Sequence, residues 1–445
     1  MKKLLYRISF YFTRLFYIVC GVIVCLFILA FFFPKLQQVG SIAALCVGIT
    51  VLLDLVIVYS KKQPVTVNRL CAERFSNGDE NKVVLEINNH LPYKVTLEII
   101  DELPFQFQLR NWKRRGVAET GISAIEYTLK PLERGVYTFG IVNVFVTGVL
   151  RMVVRHIRTG EEKEAATYPS YMQMRRFQLM AATNQLQEAG SRQMRKLGNS
   201  LEFEQIREYV LGDDYRTINW KASARKNAIM VNNFMDERSQ QVICVIDKGR
   251  TMKMPFEGMS LLDYAINASL VLSNVVLHKQ DKAGLLTFGS TVDQYIAPDK
   301  KATQLGYILE ALYRQETNFM DSDFEALYST IRYRVKQRSL LLLFTNFESM
   351  YGMERQLPYL KKLSTNHPLL VIFFENTELG ELINQRAQNL EEIYQQTIAS
   401  KFAFEKRQMV RELNKHGIMA MLTTPQKLTV NALNKYFELK ARQVM

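Results

Sequence analysis

Oxygen-bearing side chains follow apolar runs at three places in the second half of the chain. Asp247 ends one run and Thr251 follows it, Thr317 precedes a predicted helix, and Thr345 and Asn346 close another run. Hydroxyl and carboxylate oxygens that converge from separate loops suit a hard divalent ion, which takes oxygen ligands and retains bound water. A divalent-ion site is therefore the first chemistry that these residues suggest.

The apolar runs predict the element that positions these loops. They lie at residues 242–247, 284–288, 340–345, 369–374 and 418–422, and amphipathic segments of helix length separate them. Short strands that are apolar on both faces and alternate with helices are typical of a parallel sheet covered on both sides. Function in such sheets lies at the carboxyl ends of the strands, so we expect the three loops to meet at one edge. We assign this α/β domain to residues 241–445.

One amphipathic segment is long enough to suggest a coiled coil. Residues 389–416 are mostly polar, with apolar positions at Leu390, Ile393, Tyr394 and Ile398. These four positions suit one helical face, which predicts an ordinary helix that packs on the sheet. We favour this interpretation over a helix that binds a partner.

The first sixty residues predict a membrane anchor. Leu15–Phe33 and Gly40–Ser60 are apolar runs of about the 20 residues that a helix needs to cross a bilayer. Pro34 breaks the chain between them. Lys and Arg residues before the first run and after the second outnumber the single Lys35 in the link, which favours cytoplasmic placement of both termini. We predict a two-pass hairpin, residues 1–62, in the inner (cytoplasmic) membrane.

Composition narrows the classes of function. Cys71 and Cys244 are the only cysteines outside the predicted spans, so neither a disulfide framework nor a zinc site is expected. The formal net charge of +14 suits an anionic lipid surface. We expect no nucleic acid partner, because basic residues interleaved with stacking aromatics are missing. Asp54 lies within the second span, and the sequence leaves open whether it is a functional intramembrane acid or pairs with another helix.

Residues 63–170 predict a β-sandwich. Apolar and polar residues alternate along residues 83–87 and 95–99, and turn signals lie between such stretches, a pattern typical of short strands in a small sandwich. Residues 171–200 are polar and lack this alternation, so we interpret them as a linker.

A densely charged segment, residues 201–240, follows the linker. Two interpretations of its acids, bases and single tryptophan are open. In the first the segment is a structural clamp, whose charges neutralise one another around a buried Trp220. In the second it is a docking surface that meets an acidic patch on a partner, since Arg and Trp are the residue types that most often dominate binding energy. The basic residues of that surface are Arg207, Arg216, Lys221 and Arg225. A catalytic role is the weakest interpretation, because the segment holds no His or Cys and the chain holds no phosphate-binding loop motif.

This segment resembles the signature of the family called domain of unknown function 58. The residues that carry the resemblance are Arg207, Glu208, Tyr209, Gly212, Asp213, Arg216, Asn219, Trp220 and Arg225. In that family the signature directly precedes a von Willebrand factor A-like domain, and Asp usually stands where this chain has Asn219. The predicted hairpin, sandwich and α/β sheet fit the same architecture, so the resemblance covers nearly the whole chain.

The resemblance implies a metal-ion-dependent adhesion site, built from Asp-x-Ser-x-Ser, a Thr and an Asp on three loops. Asp247, Thr251 and Thr317 match this pattern, whereas Gly249 replaces the first Ser and Asn346 replaces the last Asp. With a hydroxyl and a carboxylate lost, two possibilities are open. The site binds Mg²⁺ or Mn²⁺ weakly, or it binds no metal and Asp247 organises the loop.

Proteins of this family resemble bacterial membrane components associated with MoxR-type AAA+ ATPases. The resemblance implies a non-enzymatic, membrane-anchored interaction module that acts with such an ATPase in the assembly or maturation of envelope or metal-containing protein complexes. The alternatives are a passive envelope scaffold and a membrane-tethered metal-dependent hydrolase. A hydrolase needs a base beside the ion, and the three loops contain no His.

Overall fold

The computed structural model describes most of the chain. The described residues are 10–109, 112–182, 197–210, 213, 215–235, 239–317, 319–384, 387 and 389–442. The chain divides into two compact units, Met1–Tyr168 and Pro169–Met445. We call the first the β-rich unit and the second the α/β unit.

Two apolar helices open the β-rich unit, α1 (Arg14–Ala30) and α2 (Lys35–Tyr59). They overlap the two predicted spans, and the ring of Phe27 lies so close to Gly40 that a Cβ there would be 3.2 Å from it. Among the described residues, two helices are long and apolar enough to cross a membrane, namely α2 and the helix Leu261–His278. The latter is 83% buried in the folded chain, as expected of a core helix. Helix α1 is apolar but shorter.

The remaining elements of the β-rich unit are strands. They are β1 (Phe10–Phe12), β2 (Val65–Cys71), β3 (Arg74–Ser76), β4 (Asn81–Asn89), β5 (Val95–Asp101), β6 (Lys113–Ala118), β7 (Gly121–Leu129), β8 (Gly135–Phe139), β9 (Val142–Thr147), β10 (Val153–Thr159) and β11 (Lys163–Tyr168). They form sheets in the orders β1-β10-β9-β5-β6, β2-β4-β7 and β3-β11-β8. Neighbouring strands are antiparallel except β3 and β11.

The alternating residues of this unit behave as the two-residue period predicts. Val83, Leu85 and Ile87 of β4 are buried, and so are Val95 and Leu97 of β5. Side chains from all three sheets share one hydrophobic core, because alternate residues of a strand point to opposite faces. The prediction of a β-rich, largely antiparallel unit is confirmed.

Asp54 joins helix α2 to the turn between β9 and β10. Its carboxylate accepts hydrogen bonds from the backbone N–H groups of Leu150 (3.0 Å), Met152 (2.9 Å) and Val153 (3.0 Å). Gly148 leaves the necessary space, because a Cβ at that position would lie 2.2 Å from an Asp54 oxygen. The role that the sequence left open is thus structural, since the buried carboxylate satisfies three backbone donors of one turn.

The α/β unit contains the elements of the second half of the chain. Its helices are α3 (Tyr171–Ala182), α4 (Trp220–Lys226), α5 (Leu261–His278), α6 (Gln304–Tyr313), α7 (Phe324–Arg334), α8 (Met350–Asn366), α9 (Thr377–Asn384), α10 (Leu390–Lys415) and α11 (Leu428–Ala441). Its strands are β12 (Leu197–Glu208), β13 (Met230–Met235), β14 (Gln241–Asp247), β15 (Pro255–Phe256), β16 (Met259–Ser260), β17 (Lys282–Phe288), β18 (Val292–Asp299), β19 (Leu340–Phe344), β20 (Leu369–Phe374) and β21 (Met419–Thr423).

Six strands form the central sheet of this unit, in the order β18-β17-β14-β19-β20-β21. Strands β14, β17, β19, β20 and β21 run parallel, and they coincide with the five predicted runs. Helices α5, α6 and α11 cover one face, and α7, α8 and α10 cover the other. The sequence did not predict β18, which pairs antiparallel at the edge. As an edge strand it is only partly buried, so it lacks the apolar run that identifies the others.

The segments before this sheet are more ordered than the sequence suggested. Residues 171–182, interpreted as linker, form α3, whose Met174 and Phe177 pack against the core of the α/β unit. The signature segment is a pair of antiparallel strands, β12 and β13, with the short helix α4 between them.

The interpretation of α10 as a helix packed along one whole face is wrong for its first half. Leu390 is 85% exposed and Tyr394 is 70% exposed, whereas the buried residues are Ala399, Met409 and Leu413. Its 26 residues span about 39 Å at 1.5 Å per residue. A six-residue strand such as β20 spans only about 20 Å, so the sheet cannot cover the whole helix.

Candidate functional site

The carboxylate of Asp247 lies at the carboxyl end of β14, a central strand of the sheet, where it is buried. It accepts three hydrogen bonds. The backbone N–H of Gly249 donates to one oxygen over 2.8 Å, and the Ser322 hydroxyl donates to the same oxygen. The Thr345 hydroxyl donates to the other oxygen over 2.6 Å. Three separate loops are therefore joined through one carboxylate.

The Ser322 hydroxyl occupies the space that a side chain at position 249 would need. A Cβ at Gly249 would lie only 2.1 Å from the Ser322 Oγ atom, so the absence of a side chain at 249 makes room for that hydroxyl. Ser322 supplies the hydroxyl that the first loop lacks. The sequence placed Thr345 on the third loop but did not predict its bond to Asp247, and it missed Ser322. The available signal for Ser322 was a hydroxyl residue beside Asp321 in the loop that follows Thr317.

The environment of Asp247 disfavours its ionised form. Burial raises the pKa of its carboxyl above the ordinary value, although the hydrogen bonds from Ser322, Thr345 and Gly249 oppose this shift. The nearby charge of Asp321 raises the pKa further.

The donor set around Asp247 does not fit a divalent ion. A carboxylate offers about four lone-pair directions, and three are already used by protein donors. Within the described parts of the chain, no group of three or more His, Cys, Asp or Glu side chains could hold a metal. The side chains bonded directly to Asp247 are the neutral hydroxyls of Ser322 and Thr345, which compensate a dication poorly.

The other predicted site residues lie around this carboxylate with different partners. The Thr317 hydroxyl donates to the Lys248 carbonyl oxygen over 2.8 Å. The Asn346 amide donates weakly to the Thr251 carbonyl oxygen over 3.5 Å, and its own oxygen accepts from Lys406 over 2.6 Å. Thr251 and Asn346 line a cavity together with Asp247, and Thr317 is not among the lining residues.

That cavity opens at the carboxyl edge of the sheet and has a volume of about 390 Å³. Its mouth carries charges of both signs. An Arg250 guanidinium nitrogen lies 3.8 Å from Asp321 and 3.6 Å from Glu348, and Arg355 lies 3.9 Å from Asp321. These side chains are mostly exposed, so each pair stabilises the fold little. The mouth is therefore a polar surface of exposed charged side chains.

The signature segment has an internal framework of its own. A guanidinium nitrogen of Arg207 donates to Asp213 over 2.6 Å, and the other Asp213 oxygen accepts from the Val210 backbone N–H over 2.9 Å. The hydrogen bond from Arg207 is the main reason why the pKa of the Asp213 carboxyl is lowered. This pair closes the turn that follows β12, as the clamp interpretation requires.

Helix α4 is fixed at its amino-terminal end by Asn219, the residue that precedes it. The Asn219 side chain accepts from the Ala222 backbone N–H over 3.0 Å and so caps the helix, while its amide donates to Asn232 over 2.8 Å. The Ser223 hydroxyl accepts from the Met230 backbone N–H over 2.8 Å. These bonds connect the helix to β13, so the residue that follows the cap, Trp220, starts from a fixed backbone.

The exposure of the segment's side chains contradicts the clamp interpretation, in which Trp220 is buried. Trp220 is 72% exposed and Tyr215 is 70% exposed, so the prediction of a buried Trp220 is wrong. The Arg216 guanidinium lies 5.7 Å from the Tyr215 ring centre. Glu208, Tyr209 and Arg225 are also exposed. Gly212 lies outside the described residues.

Comparisons with known proteins identify the region around this site. Residues 205–392 match the family described as "Protein of unknown function DUF58", which confirms the resemblance carried by the signature segment. No curated protein matches the chain.

Several solved structures are similar to parts of the chain. A crystal structure of a CARDB domain from Pyrococcus furiosus, in complex with di-metal ions, is 9% identical with a TM-score of 0.17, and covers 23% of this chain and 86% of its own. A solution structure of the same domain has the same identity and TM-score and is covered over 94%. Proximal thread matrix protein 1 from the mussel byssus is 9% identical with a TM-score of 0.24, over 43% of this chain and 45% of its own. Likenesses this weak carry no argument about fold or function.

Proposed function

We propose that this chain, which matches the DUF58 family over residues 205–392, is a membrane-anchored protein-interaction module. We propose further that it acts with a MoxR-type AAA+ ATPase in the assembly or maturation of envelope or metal-containing protein complexes, and that it is not an enzyme. The cavity beside Asp247 supports the non-enzymatic part, since no His or Cys occurs among its described lining residues. Helices on both faces of a mainly parallel sheet support a von Willebrand factor A-like α/β unit.

The observation that carries the proposal is the exposure of Trp220 on an ordered helix. Large aromatic side chains are usually buried, and an exposed cluster of them marks an interaction surface. Trp220 and Tyr215 are both mostly exposed, and Arg216 lies beside Tyr215. Trp, Tyr and Arg are the residue types that most often dominate binding energy at protein interfaces. The docking interpretation of the signature segment is therefore favoured over the clamp.

We propose that α1 and α2 form a membrane hairpin with both chain termini in the cytoplasm. The outer ends of the two helices lie at one turn of the β-rich unit, which supports this proposal. The Thr13 backbone N–H, just before α1, donates to the Met152 carbonyl oxygen over 3.1 Å, and Asp54 of α2 accepts from the N–H of Met152. A chain that leaves from a turn and returns to it must cross the bilayer an even number of times.

Replacement of Trp220 tests the proposal. The full-length chain, purified in detergent, is immobilised, and its affinity for the purified MoxR-type ATPase of the same organism is measured. We expect Trp220→Ala to weaken binding by about thirtyfold, because loss of a central aromatic contact costs about 2 kcal/mol.

Tyr333→Ala is the matched control, because Tyr333 is an exposed aromatic residue of α7 outside the signature segment. An unchanged affinity for Trp220→Ala, or an equal loss for both variants, would contradict the proposal. Failure of the parent chain to bind the ATPase would instead favour the passive scaffold.

A further inference from the structure

We call the carboxyl edge of the sheet around Asp247 the Asp247 rim. A second cavity lies next to the loop of this rim that follows β19. Its volume is about 310 Å³, within the range of small-ligand pockets. Apolar side chains form most of its wall, contributed by the segment around the β15–β16 hairpin, the start of α5, the end of β20, helix α9 and helix α10. They belong to Met254, Pro255, Phe256, Leu261, Phe374, Leu379, Phe402 and Ala403.

One cationic side chain, Lys406 of α10, reaches this apolar wall. Its ammonium group donates to the Asn346 side-chain oxygen over 2.6 Å and to the Phe347 carbonyl oxygen. An ammonium has three donors, so one N–H is left without a hydrogen-bond partner among the described residues. Both partners are neutral oxygens, and none of the described carboxylates lies within ion-pair distance of the ammonium.

The surroundings of Lys406 disfavour its charged form. Burial lowers the pKa of the Lys406 ammonium to about 8, although the charge of Glu348 opposes the shift. Glu348 itself is 62% exposed and lies near Arg250, so it compensates Lys406 only from a distance. Partly buried charges are normally paired, but among the described residues no carboxylate forms an ion pair with Lys406.

We propose that this cavity binds a monocarboxylate that carries a short hydrocarbon group. The carboxylate accepts the third N–H of Lys406 and supplies the missing countercharge, and the hydrocarbon group fills the apolar wall. The cavity adjoins the one beside Asp247, with which it shares Asn346 and Glu348, and it needs no metal.

The other groups of the cavity select this class of ligand over related ones. Glu348 and Glu375 also line it, so they repel a phosphate or a dicarboxylate more strongly than a monocarboxylate, whose single charge Lys406 can offset. Lys406 repels an amine. An alcohol or an amide could fill the apolar wall but would leave the ammonium without a countercharge, and charge-assisted hydrogen bonds are about twice as strong as neutral ones.

Two sources can present this chemistry, a free carboxylic acid and the carboxyl-terminal apolar residue of a partner chain. Ile398 and Phe402 of α10 are exposed and extend the apolar surface beyond the cavity, where residues preceding a terminal carboxylate would lie. The same experiment can distinguish the two sources because the ligands are tested separately.

Equilibrium dialysis of the full-length chain in detergent tests the proposal with two matched ligand pairs. The first pair is hexanoate and hexanol, and the second is the peptide acetyl-Gly-Ser-Leu with a free or an amidated carboxyl terminus. We expect at least one carboxylate to bind about tenfold or more tightly than its uncharged analogue, as a charge-assisted hydrogen bond to a partly buried ammonium implies.

Three variants locate the binding. Lys406→Met removes the charge and keeps the chain length, and Ala403→Phe fills the cavity and keeps the charge, so both should abolish the preference for the carboxylate. Lys401→Met removes an exposed charge from the same helix and should leave binding unchanged.

The result also assigns the source. Preferential binding of hexanoate identifies a free acid, and preferential binding of the free peptide identifies a partner's terminus. Equal binding of charged and uncharged ligands, binding that survives Lys406→Met, or no binding of either carboxylate would overturn the proposal. None of these outcomes depends on Trp220 or on the ATPase, so the two proposals can fail separately.

Discussion

Single side chains decide what the rim around Asp247 can bind. In an open metal site the carboxylate would present free oxygen lone pairs, but here Ser322, Thr345 and Gly249 occupy them. Asn346, which stands where a second carboxylate would be expected, is held by Lys406. The residues that replace the expected ligands thus form a closed hydrogen-bond network instead of a vacant coordination site.

This network predicts that divalent ions do not stabilise the protein. Thermal unfolding of the full-length chain in detergent, with and without millimolar Mg²⁺ or Mn²⁺, should give the same melting temperature, because binding would require displacement of satisfied hydrogen bonds. Asp247→Ala serves as the control for ions bound elsewhere. A rise in melting temperature that Asp247→Ala abolishes would show instead that the rim is a functional metal site.

The close approach of Ser322 to Gly249 predicts strong coupling between the two positions. Gly249→Ser alone should lower the free energy of unfolding by roughly 1–3 kcal/mol, the usual effect of overpacking, because its Cβ would collide with the Ser322 hydroxyl. The double variant Gly249→Ser/Ser322→Gly should recover most of this loss. Hydrogen exchange at the end of β14 measures both effects, and additive losses would refute the coupling.

Helices and strands determine which side chains reach the solvent. The hairpin of β12 and β13 holds α4 through Asn219 and Ser223, which leaves Trp220 exposed. Helix α10 is longer than the strands it covers, so its first half presents apolar residues beside the cavity that holds Lys406.

Helix α2 is joined to its unit by the contact between Asp54 and the turn after β9. Gly148→Ala should disrupt this contact, because its Cβ would lie 2.2 Å from the Asp54 carboxylate. We expect faster hydrogen exchange of the Leu150, Met152 and Val153 amides, which now donate to Asp54.

Gly48→Ala is the matched control for that variant. Gly48 also lies in α2, but nothing is within 4 Å of the position of its Cβ, and alanine favours helix over glycine. This variant should therefore leave exchange at the turn unchanged. Equal exchange rates in the parent and Gly148→Ala would show that the Asp54 contact does not hold the turn.

The whole molecule has an apolar N-terminal segment and is strongly basic, since the net charge of the chain is +14. Such a charge suits the anionic cytoplasmic leaflet. We propose that both folded units lie on that side, where an AAA+ ATPase would have access to the signature segment.

Protease accessibility tests this orientation. Trypsin added to intact spheroplasts should leave the α/β unit uncleaved, whereas trypsin added to inverted vesicles should cleave the chain in its exposed basic segments. A periplasmic marker protein provides the control for spheroplast integrity. Cleavage of the α/β unit in intact spheroplasts would place it outside the inner membrane and contradict the proposed function.

The sequence by itself determined the periodic features of this protein. Five apolar runs predicted the parallel strands, alternation in residues such as Val83 and Leu85 predicted the antiparallel sheets, and a dense signature predicted the family. These properties are readable because burial imposes a repeat of fixed period on neighbouring residues. The edge strand β18 was missed for the same reason, since its partial burial leaves no such repeat.

Only the tertiary structure decided how distant residues meet. Ser322 lies 75 positions from Asp247 and Thr345 lies 98 positions from it, and no local pattern connects them. The exposure of Trp220, the contact of Asp54 with a turn, and the approach of Lys406 to Asn346 all depend on packing between separate elements. Hydrogen bonds and charge compensation act over a few ångströms in space whatever the separation along the chain, so folded coordinates were needed to assign them.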